Sequence, residues 1–231
     1  MAADLRLISS MATRPLLTEL AAAWQAAHAD EPLTVESVGS VDAARRVQAG
    51  EAFDGVVLAA NAIDALIDAC RVRPGSRVDL VRSGVSVAVR SGAALPDIGS
   101  EDALRAAVLA APSLGYSTGP SGVAWVKLVE RWGIAAQLGD RHRQAPPGVP
   151  VARLVAEGAV ALGFQQTSEL LGQDGVRIVG PLPAAVQITT TFSAGVCAAA
   201  ARPDAVCALL QHWAAAEHDE LKRRHGMEPA R

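Results

Sequence analysis

The sequence is poor in aromatic residues, in cysteine and in long apolar runs, and each shortage excludes a class of protein. Aromatic residues make up 3% of the 231 residues, whereas 50% are hydrophobic and 47 are alanine. This apolar content excludes an intrinsically disordered chain, because it is enough to bury a core. No apolar run approaches the ~20 residues of a membrane-spanning helix, so no membrane insertion is expected. Three scattered cysteines, Cys70, Cys197 and Cys207, are too few for a disulfide framework or a zinc site.

Basic charge is also scarce, since 21 lysines and arginines are set against 24 acidic residues, for a net charge of −3. There is no basic stripe, so nucleic acid is not an expected partner. The first residues, Met1–Ile8, lack the charged segment and apolar run of a signal peptide. The sequence as written therefore predicts a cytoplasmic location, or a periplasmic one if the chain is a mature or incorrectly started form.

Short apolar runs alternate with helical patterns along the whole chain. Leu5–Ser9 is compatible with a strand, and Pro15–Ala27 carries apolar residues at helical spacing. This alternation predicts an α/β fold with two lobes, each a mostly parallel sheet flanked by helices. We expect the first lobe to combine residues 1–83 with 190–231 and the second to comprise residues 84–189.

Three local patterns give narrower expectations. Ser83-Gly84 is predicted to separate two strands, and Arg141–Pro150, with its clustered prolines, is predicted to be a loop. Cys197 and Cys207 lie in alanine-rich segments and are expected to be buried thiols.

Hydroxyl, glycine and amide residues follow four of the predicted strands. Ligands of open α/β sheets bind beyond the carboxyl ends of the strands. A helix N-terminus offers free N–H groups and a partial positive charge to an anion. An arginine at such a turn adds a bidentate contact to a carboxylate. Each turn taken alone is also explained by ordinary helix capping. Together they predict an anion site formed by Ser9, Ser10, Arg14, Ser40, Ser117, Thr118, Ser121, Gly122, Gln165 and Gln166.

Motifs for other chemistries are absent from the sequence. Gly119–Gly122 does not match the dinucleotide fingerprint, and neither a Walker A motif nor a nucleophile elbow occurs. The five histidines lack metal-ligand spacing and are expected at the surface. The sequence therefore predicts no cofactor and no metal.

Several short motifs, in a specific order, resemble the type 2 periplasmic-binding proteins, in the molybdate-binding-protein-like solute-binding family. The matching motifs are Ile8–Met11, Ser40, Arg46–Asp54, Pro120–Val123, Leu128–Ile134, Leu154–Gly158 and Gly163–Gln166. The resemblance implies that serine hydroxyls and main-chain N–H groups hold a small oxyanion.

The resemblance also implies roles for particular residues. Ser10 and Ser40 match the two family serines, and Ser121 and Gly122 match a main-chain contact. Another main-chain contact would fall at Val149 or Pro150. Gln166 stands where the molybdate binders have a tyrosine, which argues against molybdate itself.

A branch of this family that includes aconitate isomerase is more similar still. The shared segments are Gly163–Glu169, Val179–Pro183 and Thr191–Gly195. Isomerisation of a double bond needs a proton shuttle, for which Tyr116, Glu169, Glu51 and a bound water are the candidates, all of them indirect.

Three hypotheses follow from the sequence. The first is a solute-binding protein that closes two lobes over a small anion, with an ABC transporter permease as partner if it is exported. The second is an isomerase of a small unsaturated di- or tricarboxylate. The third is an intracellular ligand-sensing module.

Overall fold

The computed structural model describes residues 4–230, which form strands and helices in alternation. The strands are β1 (Leu5–Ser10), β2 (Leu33–Val38), β3 (Gly55–Ala59), β4 (Val78–Arg90), β5 (Leu114–Tyr116), β6 (His142–Gln144), β7 (Leu162–Gln166), β8 (Val176–Pro181), β9 (Thr189–Val196) and β10 (Met227–Pro229). The helices are α1 (Arg14–Ala27), α2 (Ser40–Gln48), α3 (Ala60–Asp68), α4 (Glu101–Ala110), α5 (Pro120–Arg131), α6 (Ala135–Leu138), α7 (Val151–Ala156), α8 (Thr167–Leu170), α9 (Pro203–Ala214) and α10 (Asp219–Arg224).

The chain forms two compact units. Unit 1 runs to Arg82 and resumes at Thr191, and unit 2 comprises Ser83–Thr190. The chain therefore passes between the units within β4 and again within β9. Among the described residues, no helix has both the length and the apolar content needed to cross a bilayer.

Unit 1 is built on the parallel strands β2, β1 and β3, to which β9 adds in antiparallel direction. Because side chains alternate along a strand, the sheet supplies two cores. Leu7 and Val57 pack in a cluster with the apolar residues of α1 and α9. Ile8 and Val56 pack in a second cluster with residues of α2 and α3. Helices thus cover both faces, as buried parallel strands require.

Unit 2 is built on β5, which is parallel to both β6 and β7. Strand β4 is antiparallel to β7 and to β8. Gly115 and Gly163 lie opposite each other on β5 and β7, and both face α7. A Cβ atom on Gly163 would lie 2.5 Å from Cγ2 of Val155. The two glycines therefore allow α7 to approach the sheet closely, which places the first turn of this helix beside the end of β7.

Three local expectations are wrong. Ser83-Gly84 does not interrupt a strand, because β4 runs unbroken through both residues and Gln187 Oε1 accepts a hydrogen bond from Val85 N just beyond them, at 3.0 Å. The expected loop from Arg141 contains the short strand β6, whose partner is β5. Cys207 is exposed, since it lies outside the stripe of α9 that carries Val206, Leu209, Leu210 and Trp213 into the core.

Candidate functional site

The unit 1 hydroxyls are two buried serines at the end of β1. Ser9 and Ser10 are the last two residues of this strand, and both are fully buried. Ser9 Oγ lies 2.7 Å from Ser37 Oγ on β2. Ser10 Oγ has only a long contact of 3.5 Å, to Thr13 Oγ1, and Thr13 Oγ1 donates instead to the carbonyl oxygen of Ser10. The hydroxyl of Ser10 is therefore weakly bound within the protein.

Ser40 is the first residue of α2, and Gly39, rather than Ser40, is its N-cap. Ser10 pairs with Val38 across β1 and β2, so Ser40 lies two residues beyond the partner of Ser10. The same sheet edge therefore carries both residues. Arg14 is exposed at the start of α1. Among the described residues, its guanidinium forms no hydrogen bond with Ser9, Ser10 or Ser40.

The first polar group of unit 2 surrounds the N-terminus of α5. Ser121 is buried in the first turn of this helix, and its Oγ lies 3.0 Å from Ser117 Oγ. Thr118 is partly buried in the loop between β5 and α5. A Cβ atom on Gly122 would lie 1.7 Å from the carbonyl oxygen of Ser117. Only glycine therefore allows the loop to fold back against the helix in this way.

The second polar group of unit 2 contains a buried amide next to a carboxyl group. Gln165 Oε1 accepts a hydrogen bond from Ala152 N, in the first turn of α7, at 3.2 Å. Burial raises the pKa of the Glu169 carboxyl to about 7, although the neighbouring Gln165 amide lowers it. Glu169 is thus a carboxyl group that changes charge near neutral pH.

Gln166 is buried next to Gln165, and one end of its amide has no partner. Its Nε2 donates to Thr190 Oγ1 at 2.8 Å, while Oε1 has no hydrogen-bond partner within residues 4–230. The buried hydroxyl groups of Ser83 and Ser168 also lack partners in this part of the chain. Buried polar atoms are paired in most native structures, so each of these unpaired atoms is a candidate contact for a polar ligand.

Gln165 and Gln166 are the last residues of β7 rather than part of the following turn. The local sequence favoured a turn because two glutamines precede Thr167 and Ser168. The pairing of Gln165 with Ser86 and of Gln166 with Val85 on β4 extends the strand instead.

The other proton-shuttle candidates have different surroundings. Glu51 pairs with Arg46, which lowers the pKa of the Glu51 carboxyl, so this group stays ionised near neutral pH. Arg46 also binds Glu36 and lies 5.1 Å from the centre of the Phe53 ring. The motif from Arg46 to Asp54 therefore holds α2 against its sheet. Tyr116 is partly buried, with its ring 4.4 Å from the imidazole of His142.

The main-chain contact expected near Val149 has no free donor there. Val149 N donates to the carbonyl oxygen of Pro146 at 3.0 Å, and Pro150, the N-cap of α7, has no N–H group.

Comparison with known proteins decides the family. The family model for bacterial extracellular solute-binding proteins matches residues 5–228. The chain belongs to this family. It is also 35% identical, over 185 residues, to an aconitate isomerase from Pseudomonas sp., a match that covers 80% of this chain and 70% of the relative.

Solved structures of solute-binding proteins have the same fold. The periplasmic molybdate-binding protein of Azotobacter vinelandii superposes with a TM-score of 0.80 at 16% identity, over 96% of this chain and 98% of that one. The sulfate-binding protein SubI of Mycobacterium tuberculosis gives a TM-score of 0.80 at 16% identity, over 99% of this chain and 88% of the other. The expected type 2 periplasmic-binding fold and the relation to aconitate isomerase are confirmed.

Proposed function

We propose that this solute-binding protein takes a small oxyanion or carboxylate as its ligand. The observation that carries the proposal is the unpartnered end of the buried Gln166 amide. Because the hydroxyl of Thr190 can donate or accept, the side-chain amide of Gln166 can be flipped by about 180°. Its oxygen then accepts from Thr190 and its N–H₂ group takes the unpartnered position, where an anionic oxygen is a suitable acceptor.

The buried hydroxyls support the same class of ligand. Ser10, Ser121 and Ser168 lie at the carboxyl end of a strand or within the first turn of a helix, where neutral donors bind an anion reversibly. The names of two structural neighbours, a molybdate-binding and a sulfate-binding protein, support an oxyanion, and the aconitate isomerase relative supports a carboxylate. An ABC transporter permease is the proposed partner, and the periplasm the proposed location, if the protein is exported.

A thermal-shift screen tests the proposal with molybdate, tungstate, sulfate, citrate, cis-aconitate and trans-aconitate. A ligand that binds only the folded state raises the melting temperature in proportion to the logarithm of its concentration. We expect at least one of these anions to do so. If none shifts the midpoint at high concentration, the anion-binding function is wrong.

Two matched pairs of variants assign the ligand to particular residues. Gln166→Met removes both ends of the amide at similar volume, and Gln173→Met changes an exposed glutamine of the same unit. Ser10→Ala removes the weakly bound hydroxyl, and Ser91→Ala changes an exposed serine. We expect the anion-dependent shift to fall in the first member of each pair only. Equal shifts in the two members of a pair would show that the buried residue of that pair does not contact the anion.

A second candidate function is the isomerisation of a small unsaturated carboxylate, which Glu169 favours. A carboxyl group with a pKa of about 7 can remove a proton from the carbon next to a double bond and return it to the far end of the allyl system. The proton removed equals the proton returned, so no oxidant or reductant is needed.

Proton NMR of the protein incubated with a stabilising aconitate isomer tests this second function. The appearance of the other isomer, and its loss in Glu169→Gln with binding retained, would support catalysis. Binding without conversion would leave the solute-binding function alone.

A further inference from the structure

A group of metal-ligating side chains lies in unit 1, at the corner between α9 and α10. His212 belongs to the last turn of α9, and Glu217 and His218 belong to the short 3₁₀ turn that follows. His212 Nδ1 lies 3.2 Å from Glu217 Oε1, and His218 Nε2 lies 3.4 Å from the same oxygen. The two Nε2 atoms of the histidines are 3.1 Å apart. Within residues 4–230, no other three histidine, cysteine or acidic side chains meet in this way.

These separations suit one metal ion. In a tetrahedral zinc site with ligand bonds of ~2.0–2.2 Å, neighbouring ligand atoms lie about 3.4 Å apart. The donor atoms of the three side chains all lie within 4.8 Å of one another. A single ion takes one ring nitrogen of His212, either Nδ1, which faces Glu217, or Nε2, which faces His218, so the side chains adjust for all three bonds to form.

The ligand types select the class of metal. Imidazole nitrogen favours zinc, copper, nickel and iron, whereas calcium and magnesium require mainly oxygen ligands. Two imidazoles and one carboxylate therefore favour a transition metal. The Glu217 side chain is 61% exposed, so solvent has access to the remaining coordination position.

The corner that carries the ligands is held by a buried lysine. Lys222 is 1% exposed, and its Nζ donates to the carbonyl oxygens of Ala214 and Ala215 at 3.2 and 3.4 Å. These two carbonyl groups lie between His212 and Glu217 in the chain. Asp219 lies 3.6 Å from Lys222 Nζ and compensates its charge. The backbone geometry that brings the ligands together is thus fixed without a metal.

Aromatic packing holds one of the imidazoles in place. The ring of Trp24 is 5.2 Å from that of His212 and stacks on His28 at 3.7 Å. Ligands restrained in this way lose little freedom on binding a metal.

We propose that His212, Glu217 and His218 form a binding site for a divalent transition metal ion such as Zn²⁺. None of its three side chains is among the residues assigned to the anion, and the site does not depend on the proposed function. Because it joins α9 to the turn that precedes α10, the metal acts as a cross-link near the end of the chain and stabilises unit 1.

The test uses the full chain, free of any polyhistidine tag and stripped with a chelator. We expect Zn²⁺ to raise the melting temperature and Mg²⁺ to leave it unchanged. We expect Co²⁺ to produce visible absorption bands of a tetrahedral site and to quench tryptophan fluorescence, since Trp24 lies next to His212. Absence of both the zinc shift and the cobalt bands in the native chain would overturn the proposal.

Variants separate this site from adventitious binding at other histidines. His218→Ala and Glu217→Ala are expected to weaken Co²⁺ binding at least tenfold. Glu217 is exposed, so its variant keeps the fold intact if the histidine variant unfolds. The matched control is His225→Ala, because His225 Nε2 also lies 2.9 Å from a carboxylate, that of Glu19, but among the described residues no third histidine, cysteine or acidic side chain joins this pair. Unchanged Co²⁺ affinity in the Glu217 variant, or an equal loss in the His225 control, would refute the assignment.

Discussion

The Glu169 carboxyl makes the stability of the protein depend on pH in an unusual direction. Its pKa rises from 4.5 to about 7 on folding, because burial disfavours the charged form. Below pH 4.5 the carboxyl is protonated in both states, so it has no effect on stability. Between pH 4.5 and 7 the unfolded chain loses this proton while the folded protein keeps it, so the free energy of unfolding falls as the pH rises. Above pH 7 both states are ionised and the penalty is constant.

The size of the effect follows from the shift in pKa. At 1.36 kcal/mol per unit, the ionised carboxyl costs the folded state at most about 3 kcal/mol above pH 7. Glu169→Gln removes this cost and preserves the shape of the side chain. For a chain of this length, 1 kcal/mol corresponds to roughly 2–4 °C in melting temperature. The variant is therefore expected to melt roughly 6–12 °C above the native protein at alkaline pH, and at nearly the same temperature near pH 4.5.

Thermal denaturation between pH 4.5 and 8.5, followed by circular dichroism, provides the measurement. Glu130→Gln serves as the control, since Glu130 is exposed on α5, and its difference from the native protein should not grow over this range. If the Glu169 variant and the native protein differ by the same amount at every pH, the carboxyl is not desolvated. Its suitability as a proton shuttle at neutral pH would then also fail.

Two further substitutions test how the polar groups are positioned. Gly122→Ala places Cβ 1.7 Å from the Ser117 carbonyl oxygen, so we expect a loss of about 2 kcal/mol or more in urea denaturation. In contrast, Gly39→Ala, whose Cβ meets no atom within 4 Å, should cost about 1 kcal/mol or less; equal losses would contradict the close approach. Lys222→Met removes a buried ammonium group and leaves Asp219 without it, which predicts a loss of about 3 kcal/mol by the same measurement. The exposed Lys127→Met should stay within about 0.5 kcal/mol, and a similar result for Lys222 would show that its hydrogen bonds do not hold the corner.

The order of strands and helices was predictable because it depends on local patterns. Leu16, Leu20 and Trp24 recur on one face of α1, and the structure buries all three. The hydroxyls of Ser9 and Ser10 also follow from position, since they stand at the carboxyl end of a strand that the apolar pattern identifies. Where the structure differs from the local pattern, the cause is a contact with residues that are distant in the sequence. Gln187 binds Val85 N just beyond Ser83-Gly84, and β7 and β8 pair with β4 from Val85 onward; no pattern within β4 itself indicates these contacts.

The chemistry of individual side chains was less predictable than their location. Glu51 and Glu169 were equal candidates in the sequence, since both are acidic residues close to a matching motif. The structure separates them by environment, because Glu51 lies against a guanidinium group whereas Glu169 is partly buried beside an amide. A pKa depends on desolvation and neighbouring charge, and both are set by residues that are remote in the chain.

The histidine and glutamate cluster illustrates the same limit for spacing rules. On a continuous helix, residues five positions apart lie about 140° apart around the axis, so His212 and Glu217 would face different directions. If α9 is assumed to continue through both residues, this spacing argues against their binding the same metal ion. In the structure the helix ends at Ala214, and the chain turns at Ala215, whose backbone is extended. This turn brings Glu217 and His218 back toward the end of α9, so the side chains can bind one metal ion despite their spacing. The periodicity of apolar residues does not predict a metal site at such a corner. It also does not predict that Lys222 is buried, because the residues around Lys222 are mostly charged and suggest an exposed helix.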